Sequence, residues 1–281
     1  MTKKFSMINI IKYAFLSIIA FISVFPFIWM IIATTNKSVD VTRGTLVPGN
    51  YFIQNLKNLL ASDLNYINAF KNSVIISILT TVLAMLISSL AGYAFEVYKN
   101  KTRDKVFNFI LLSMMVPFAA LMVPLFRLFS KFNSIGVLKG ISLNTNGSVI
   151  IISVATAFLI FFFRQNTKSF PRDLIEAARI DGLSEFGIFF RIYMPTMKST
   201  YAAATIVTFM ASWNSYLWPL IALQSPEKRT LPLVISALGS SYTPDYGMIM
   251  TAVVIATLPT AIIFFLMQKH FVAGMTGSVK G

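Results

Sequence analysis

The chain has 281 residues, of which 56% are hydrophobic and only 12% are charged, and its mean hydropathy is +0.72. Soluble domains carry about a quarter charged residues, so this composition excludes an ordinary soluble protein and indicates a membrane protein. The net charge of +14 follows from membrane topology rather than polyanion binding, and we predict no nucleic-acid partner. The absence of cysteine excludes disulfides, thiolate metal sites and cysteine nucleophiles.

Six long apolar runs follow one another along the chain. A helix needs about 20 apolar residues to cross a bilayer. The first run exceeds the core of a signal peptide and is interpreted as a retained span. We therefore predict an all-α polytopic membrane protein, a single domain over residues 1–281 with six transmembrane helices. The spans are predicted at about 13–35, 72–95, 106–126, 149–163, 199–222 and 246–268.

The placement of the charges predicts the orientation of these spans. Most of the 24 basic residues lie near the two termini, at 96–105 and at 164–198. Cytoplasmic loops of membrane proteins carry an excess of Lys and Arg. Both termini and the loop at 164–198 are therefore expected in the cytoplasm.

Two local features of the early spans predict helix geometry. Small residues at 88–92 (Ser-Ser-Leu-Ala-Gly) favour close approach of helix backbones. Pro26, Pro117 and Pro124 lie inside the first and third runs. A proline removes a helix hydrogen bond, so these residues predict kinks.

The loop at 164–198 is too polar to lie in hydrocarbon and contains a predicted helix. Pro171 suits the first turn of that helix, because its missing N–H would be unpaired there in any case. Gly182 can adopt the left-handed conformation that ends a helix. Leu174, Ile175 and Ala178 share one thin, apolar face. Such a face suits docking into a groove on a partner; the alternative is a helix resting on the lipid interface, which would favour Lys or Arg with bulky apolar groups.

The fifth run carries a cluster of aromatic and amide residues. On a continuous helix Trp213 and Tyr216 would share one face, and Asn214 and Trp218 another. Aromatic rings and amides suit sugar recognition, so these four residues are candidates for a substrate pathway. The alternative is the aromatic belt at the outer membrane interface. Asn214 is the stronger pathway candidate, because an amide in a span should face a partner or a wet cavity.

The chain has no recognisable energy source of its own. All ten acidic residues fall in loops or at span edges, whereas ion-coupled carriers place charges at membrane depth. The sequence also lacks the Gly-rich phosphate loop that ends in Lys and Ser or Thr. We therefore predict no catalytic, cofactor or metal site and no enzyme activity. The energy must come from another polypeptide.

The polar loop follows a recognisable order: Glu176-Ala177-Ala178, three residues, Gly182, nine residues, then Ile-Tyr-Met-Pro ending at Pro195. This order resembles that of permease subunits of bacterial ABC importers, with Met194 in place of the usual Leu. Residues 91–95, 212–220 and the tail 271–281 extend the similarity. Over nearly all its length the chain resembles the second permease of maltose-type carbohydrate importers.

This resemblance implies a fold, a function and a set of partners. It implies the type I ABC importer permease fold in a bacterial cytoplasmic (inner) membrane, with half of a sugar translocation pathway on this chain. The implied partners are a second, non-identical permease, a pair of ATPase subunits carrying ATP and Mg, an extracytoplasmic sugar-binding protein and the lipid bilayer. The ATPase would dock on the loop at 164–198, through Leu174, Glu176, Ala177, Ala178, Arg179, Asp181, Gly182 and Pro195.

Two alternatives stay open at this point. The first is an ABC permease for a non-sugar solute. The second, which the sequence favours less, is an autonomous secondary carrier or channel, which would need intramembrane charges or a filter-like loop.

The topology has a direct test in this cysteine-free chain. Single cysteines introduced at Ser184 and at Ser241 should react with a membrane-impermeant thiol reagent from opposite sides, Ser184→Cys from the cytoplasm. The expected difference arises because one span separates the two positions. Labelling of both from the same side would require an even number of crossings between them and would contradict the six-span topology.

Overall fold

The structure, a computed structural model, describes residues 7–277. The side chains of Ile8 and of residues 270–277 lie outside that description, so only the backbone of the tail 271–281 is described, and only as far as residue 277. Every regular element in the described range is a helix, which confirms the all-α prediction for that range. In chain order the α-helices are α1 Met7–Thr34, α2 Ser38–Thr42, α3 Phe52–Ala61, α4 Tyr66–Val97, α5 Lys101–Leu112, α6 Phe118–Phe132, α7 Asn146–Ile151, α8 Ala157–Thr167, α9 Arg172–Ile180, α10 Glu185–Ile188, α11 Met194–Thr196, α12 Lys198–Trp213, α13 Leu217–Ala222, α14 Leu231–Gly239 and α15 Tyr246–Gly277.

Three helices are long and apolar enough to cross a membrane unbroken. They are Asn9–Thr34, Tyr66–Val97 and Tyr246–Lys269, and they cover the predicted first, second and sixth spans. Within the described residues, the third, fourth and fifth predicted spans are each interrupted. The count of six spans therefore stays a prediction. At the third, fourth and fifth positions the chain does not form one continuous helix.

Each interruption has a local cause. The helices on either side of Pro117 meet at an angle of 102°, because Val116 is extended (ψ 116°) before a proline that has no N–H to donate. The fourth predicted span breaks between α7 and α8, where the Thr156 hydroxyl caps the new helix by accepting from the Leu159 N–H. The fifth breaks at 214–216, and Pro219 near the start of α13 cannot donate to the preceding turn.

Contacts group the chain into two units, and the first comprises Met1–Tyr66 and Ile235–Thr257. Asn55 organises its polar interior: the amide donates to the carbonyls of Thr34 and Asn36 at 2.8 and 2.9 Å. A Cβ on Gly247 would lie 2.6 Å from the Asn36 oxygen, so only glycine permits this close approach. The buried Tyr66 hydroxyl donates to the Ala252 carbonyl at 2.8 Å.

The second unit comprises Ile67–Val234 and Leu258–Gly281. It contains the interrupted helix pairs and α9, and its interior is built largely from aromatic and small residues. At Gly92 a Cβ would lie 2.6 Å from the Phe163 Cβ and 2.7 Å from the Arg164 nitrogen. α4 and α8 therefore approach closely at this glycine, as the small residues at 88–92 predict.

This contact predicts a penalty for one added methyl group. Gly92→Ala should destabilise the protein by about 1–3 kcal/mol, because the new Cβ meets backbone atoms that cannot move aside. The matched control is Gly136→Ala, where a Cβ meets nothing within 4 Å. Thermal unfolding in detergent measures both variants, and a Gly92→Ala transition equal to that of Gly136→Ala would contradict the close approach.

Candidate docking site and hydroxyl-lined cavity

The α9 helix, Arg172–Ile180, begins and ends by local signals. Pro171 precedes it with φ −65° and ψ 117°. At its end Gly182 has φ +80°. The Leu183 N–H donates to the Ala178 carbonyl at 3.0 Å, and the Gly182 N–H donates to that of Arg179 at 3.1 Å. These two bonds form a Schellman motif, so the left-handed conformation predicted for Gly182 is confirmed.

The inner face of α9 packs on the chain itself. Ile175 and Ala178 are each only 3% exposed. They contact an aromatic cluster of Tyr93, Phe170, Phe189 and Tyr193, together with Ile188. The Tyr193 and Thr167 hydroxyls share a hydrogen bond of 2.6 Å beneath this cluster.

This packing separates the predicted docking residues into buried and exposed ones. The sequence grouped Leu174, Ile175 and Ala178 on one face available to a partner. Ile175 and Ala178 are instead enclosed, because burial of apolar surface within the chain is favourable. Ala178 therefore supports α9 from beneath and does not form its outer surface.

The outer face of α9 is the part that a partner can reach. Glu176, Ala177 and Asp181 are exposed, Leu174 is 42% exposed and Ile180 is 87% exposed. Among the described residues 7–277, Glu176 has no ion-pair partner. Asp181 also has no ion-pair partner among these residues, so the face presents two unpaired carboxylates beside exposed apolar groups. Pro195, further along in α11, is also exposed.

A charged pair closes the turn between α9 and α10. Arg179 Nε and Nη2 donate to the two Glu185 oxygens at 2.8 and 3.3 Å, and the Tyr98 hydroxyl donates to the same carboxylate. The hydrogen bond from Arg179, and then that from Tyr98, hold the pKa of Glu185 below its usual range. The bond to Glu185 likewise raises the pKa of Arg179. Sequence reasoning did not identify Glu185 or Tyr98, since Tyr98 belongs to a different loop.

The two tryptophans of the predicted pathway are enclosed by the chain. Trp213 is 3% exposed at the end of α12, with its ring stacked on Phe209 at 5.7 Å. Trp218 is 2% exposed, and its Nε1 donates to the Ser148 carbonyl at 3.0 Å. Both rings therefore contribute to the interior of the second unit.

Asn214 and Tyr216 lie in the break between α12 and α13. Asn214 is exposed, and its amide donates to the Met210 carbonyl at 2.9 Å. Tyr216 is 37% exposed. Because the helix stops at Trp213 and restarts at Leu217, the pairing of these four residues on two continuous helix faces is wrong.

A cavity of about 150 Å³ lies beside two of the three helix breaks, those at 152–156 and 214–216. Its lining includes six hydroxyl side chains, those of Thr80, Ser153, Thr156, Thr208, Ser212 and Ser215. Ser153 and Thr156 belong to the break before α8, and Ser215 to the break after α12. The Oγ1 atoms of Thr80 and Thr208 are buried and have no hydrogen-bond partner in the structure. We call this feature the hydroxyl cavity; sequence reasoning missed it because single serines and threonines are common in spans.

Comparison with solved structures identifies the class of the fold. The chain superposes with a TM-score of 0.80 and 20% identity on a chain of a bacterial ABC transporter involved in the import of the acidic polysaccharide alginate, covering 96% of this chain and 99% of that one. A second structure of a bacterial alginate ABC transporter, in complex with a periplasmic protein bound to an alginate pentasaccharide, matches with a TM-score of 0.60 and 19% identity over 92% and 93% of the two chains. The fold is that of a permease of an ABC importer.

Sequence comparison then gives the family. The chain is 48% identical over 272 residues to the lactose transport system permease protein LacG of Rhizobium radiobacter, covering 97% of this chain and 96% of that protein. It is 37% identical over 283 residues to the arabinooligosaccharides permease AraQ of Bacillus subtilis, covering 99% and 98%. Residues 84–277 match the family described as binding-protein-dependent transport system inner membrane component. This chain belongs to that family, which confirms the resemblance seen in the polar loop.

Proposed function

We propose that this chain is the membrane-spanning permease subunit of an ATP-driven sugar importer in the cytoplasmic (inner) membrane of a bacterium. The observation that carries the substrate class is the 48% identity, over nearly the whole chain, to a lactose permease. In this proposal the chain crosses the membrane six times with both termini in the cytoplasm, and three of the crossings use interrupted helices. It supplies half of the translocation pathway.

The two alternatives have less support. A non-sugar solute is represented by the sn-glycerol-3-phosphate permease UgpE of Salmonella typhi, which is only 29% identical. A secondary carrier would need charged groups at membrane depth. Membership of the binding-protein-dependent family favours an importer driven by a separate ATPase.

The proposed partners follow from the same family. They are a second, non-identical permease, a pair of ATPase subunits that hold ATP and Mg, and an extracytoplasmic sugar-binding protein. One solved relative is in complex with a periplasmic protein that carries an oligosaccharide. This chain itself holds no nucleotide in the proposed mechanism and contributes surfaces and a pathway.

The outer face of α9 is the proposed docking surface for the ATPase. Leu174 and Ala177 present a shallow apolar strip, and Glu176 offers an unpaired carboxylate to a basic residue of the ATPase. The Schellman turn and the Arg179–Glu185 pair fix α9 on the aromatic cluster beneath it. A displacement of α9 would therefore be transmitted to α4 and α8. Alternating access would then be driven by a partner with different affinity for two conformations.

The hydroxyl cavity is the proposed contact with the sugar on this subunit. Its six hydroxyls can both donate to and accept from sugar hydroxyls. The helix breaks beside it leave backbone groups that need polar surroundings, and such breaks in spans line wet cavities. Asn214 and Tyr216 lie in one of these breaks and stay within the proposed pathway. Trp213 and Trp218 hold the surrounding helices in place.

The docking surface is tested by charge reversal at Glu176. Glu176→Lys should abolish sugar uptake and release the ATPase from the purified complex, because the introduced cation would repel the basic residue that Glu176 is proposed to meet. The matched control is Glu227→Lys, an exposed glutamate outside the docking segment, which should assemble normally. Retained ATPase and normal uptake in Glu176→Lys would contradict the assignment.

Substitutions at Gly182 test the same docking surface in a second way. Gly182→Val should have the same effect through backbone strain, because φ is +80° there and a β-branched residue rarely adopts that conformation. A steric clash would not explain the effect, since a Cβ at this position meets nothing within 4 Å. Gly182→Asn should retain most of the activity, because asparagine tolerates the left-handed conformation. Normal uptake by Gly182→Val would show that the left-handed turn is not required.

The hydroxyl cavity is tested by removing one hydroxyl without changing side-chain shape. Thr208→Val should leave stability unchanged or raised, because the removed oxygen has no partner. It should lower sugar uptake by the reconstituted complex about two- to tenfold, the value of one lost hydrogen bond. The matched control is Thr81→Val, whose hydroxyl donates to the Ser77 carbonyl at 2.7 Å and does not line the cavity. Unchanged uptake in Thr208→Val would remove this hydroxyl from the pathway.

A further inference from the structure

Four charged residues meet where α4, α5, α8 and α9 come together. Arg164, in α8, is 6% exposed; its Nε lies 3.3 Å from Glu96 Oε2, and its Nη2 lies 2.5 Å from Asp104 Oδ1. The guanidinium also lies over the Phe107 ring, 4.0 Å from its centroid. A buried charge needs partners of opposite sign, and Arg164 has two.

The carboxylate of Glu96 also faces α9. Its other oxygen, Oε1, lies 3.6 Å from Nη2 of Arg172, the first residue of α9. The Arg172 side chain is 66% exposed, whereas that of Glu96 is 8% exposed. A cation in the first turn of a helix opposes the helix dipole, so Arg172 is poorly placed unless an anion lies beside it. Glu96 supplies that anion.

The charge balance shows why Glu96 does more than neutralise Arg164. Asp104 already pairs with Arg164 at 2.5 Å. The cluster holds two carboxylates and two guanidinium groups, and it is balanced only when Arg172 is counted. One carboxylate therefore joins an exposed cation on α9 to a buried cation on α8.

We propose that Glu96 is a positioning residue for energy coupling: it ties the start of α9 to α4 and α8 through Arg172 and Arg164. This inference rests on the proposed role of α9 as the ATPase docking helix. The aromatic cluster holds the middle and end of α9 by apolar contact, and Glu96 holds its beginning by charge. Without that tie, α9 can still bind the ATPase, but part of its displacement is lost before it reaches the spans.

The test measures coupling in the complete complex, with its partner permease, ATPase and binding protein in proteoliposomes. Glu96→Gln keeps the shape of the side chain and leaves Arg164 paired with Asp104. Arg172→Gln removes the other end of the tie from an exposed position. Each should lower the number of sugars imported per ATP hydrolysed about two- to fivefold, the effect of an ion pair with one exposed partner. The amount of ATPase that co-purifies should not change.

The double variant distinguishes a tie from two independent effects. Glu96→Gln with Arg172→Gln should lower the ratio no further than either change alone, because both remove the same interaction. The matched control Lys168→Gln, an exposed cation of the same segment, should leave the ratio unchanged. If Arg172→Gln leaves the ratio at the level of the unmodified protein, or if the two effects multiply, the inference is overturned.

Failure of the docking proposal gives a different result. In that case Glu176→Lys would leave ATPase co-purification unchanged, whatever the result for Glu96. If Glu96→Gln fails to assemble, Arg172→Gln and its control still decide, because Arg172 is mostly exposed and its loss leaves no buried arginine unpaired.

Discussion

The rest of the structure depends on one constraint: backbone polar groups within a bilayer must be satisfied by the protein itself or by an enclosed wet space. A continuous helix meets this requirement without side chains, as α1, α4 and α15 do. The interruptions at 152–156 and 214–216 need other partners. Thr156 caps one of them, and the hydroxyl cavity lies beside both. The hydroxyl groups that line the cavity therefore lie beside the places where these two helices are interrupted.

The polar segment meets a different requirement, because it holds a short helix in place while one face of that helix stays open. Helix α9 has nine residues and would be marginal alone in water. Its stability comes from the Schellman turn at Gly182, the Arg179–Glu185 pair and the aromatic cluster under Ile175. These three contacts leave the outer face unoccupied. A helix that is fixed on one side and open on the other suits a part that must be displaced by a partner without unfolding.

In the three described helices that are long enough to span a membrane, the charged residues lie towards the ends rather than in the centres. Glu96 and Arg164 are buried together where α4 and α8 approach through Gly92. Their mutual attraction offsets the desolvation free energy of burying two charges. Arg172 extends the pair to α9. A transporter driven by ions would place such groups along its solute pathway. Here they lie next to α9, the helix that we propose as the docking surface for the ATPase.

The sequence by itself determined the helical class, the positions of the long apolar segments and the left-handed turn at Gly182, because those depend on local signals: apolar length, Pro171 and a glycine at a helix end. It also marked the loop that we propose as the docking site, since the spacing from Glu176 to Pro195 is a local pattern. Only the tertiary structure decided that Ala178 faces inward, that Trp213 and Trp218 are enclosed, and that three predicted spans are interrupted. It alone placed Thr80 and Thr208 at one cavity, and brought Glu96 to Arg164 and Arg172. Those contacts join residues far apart in the chain, and no local preference of either residue specifies which distant partner it meets.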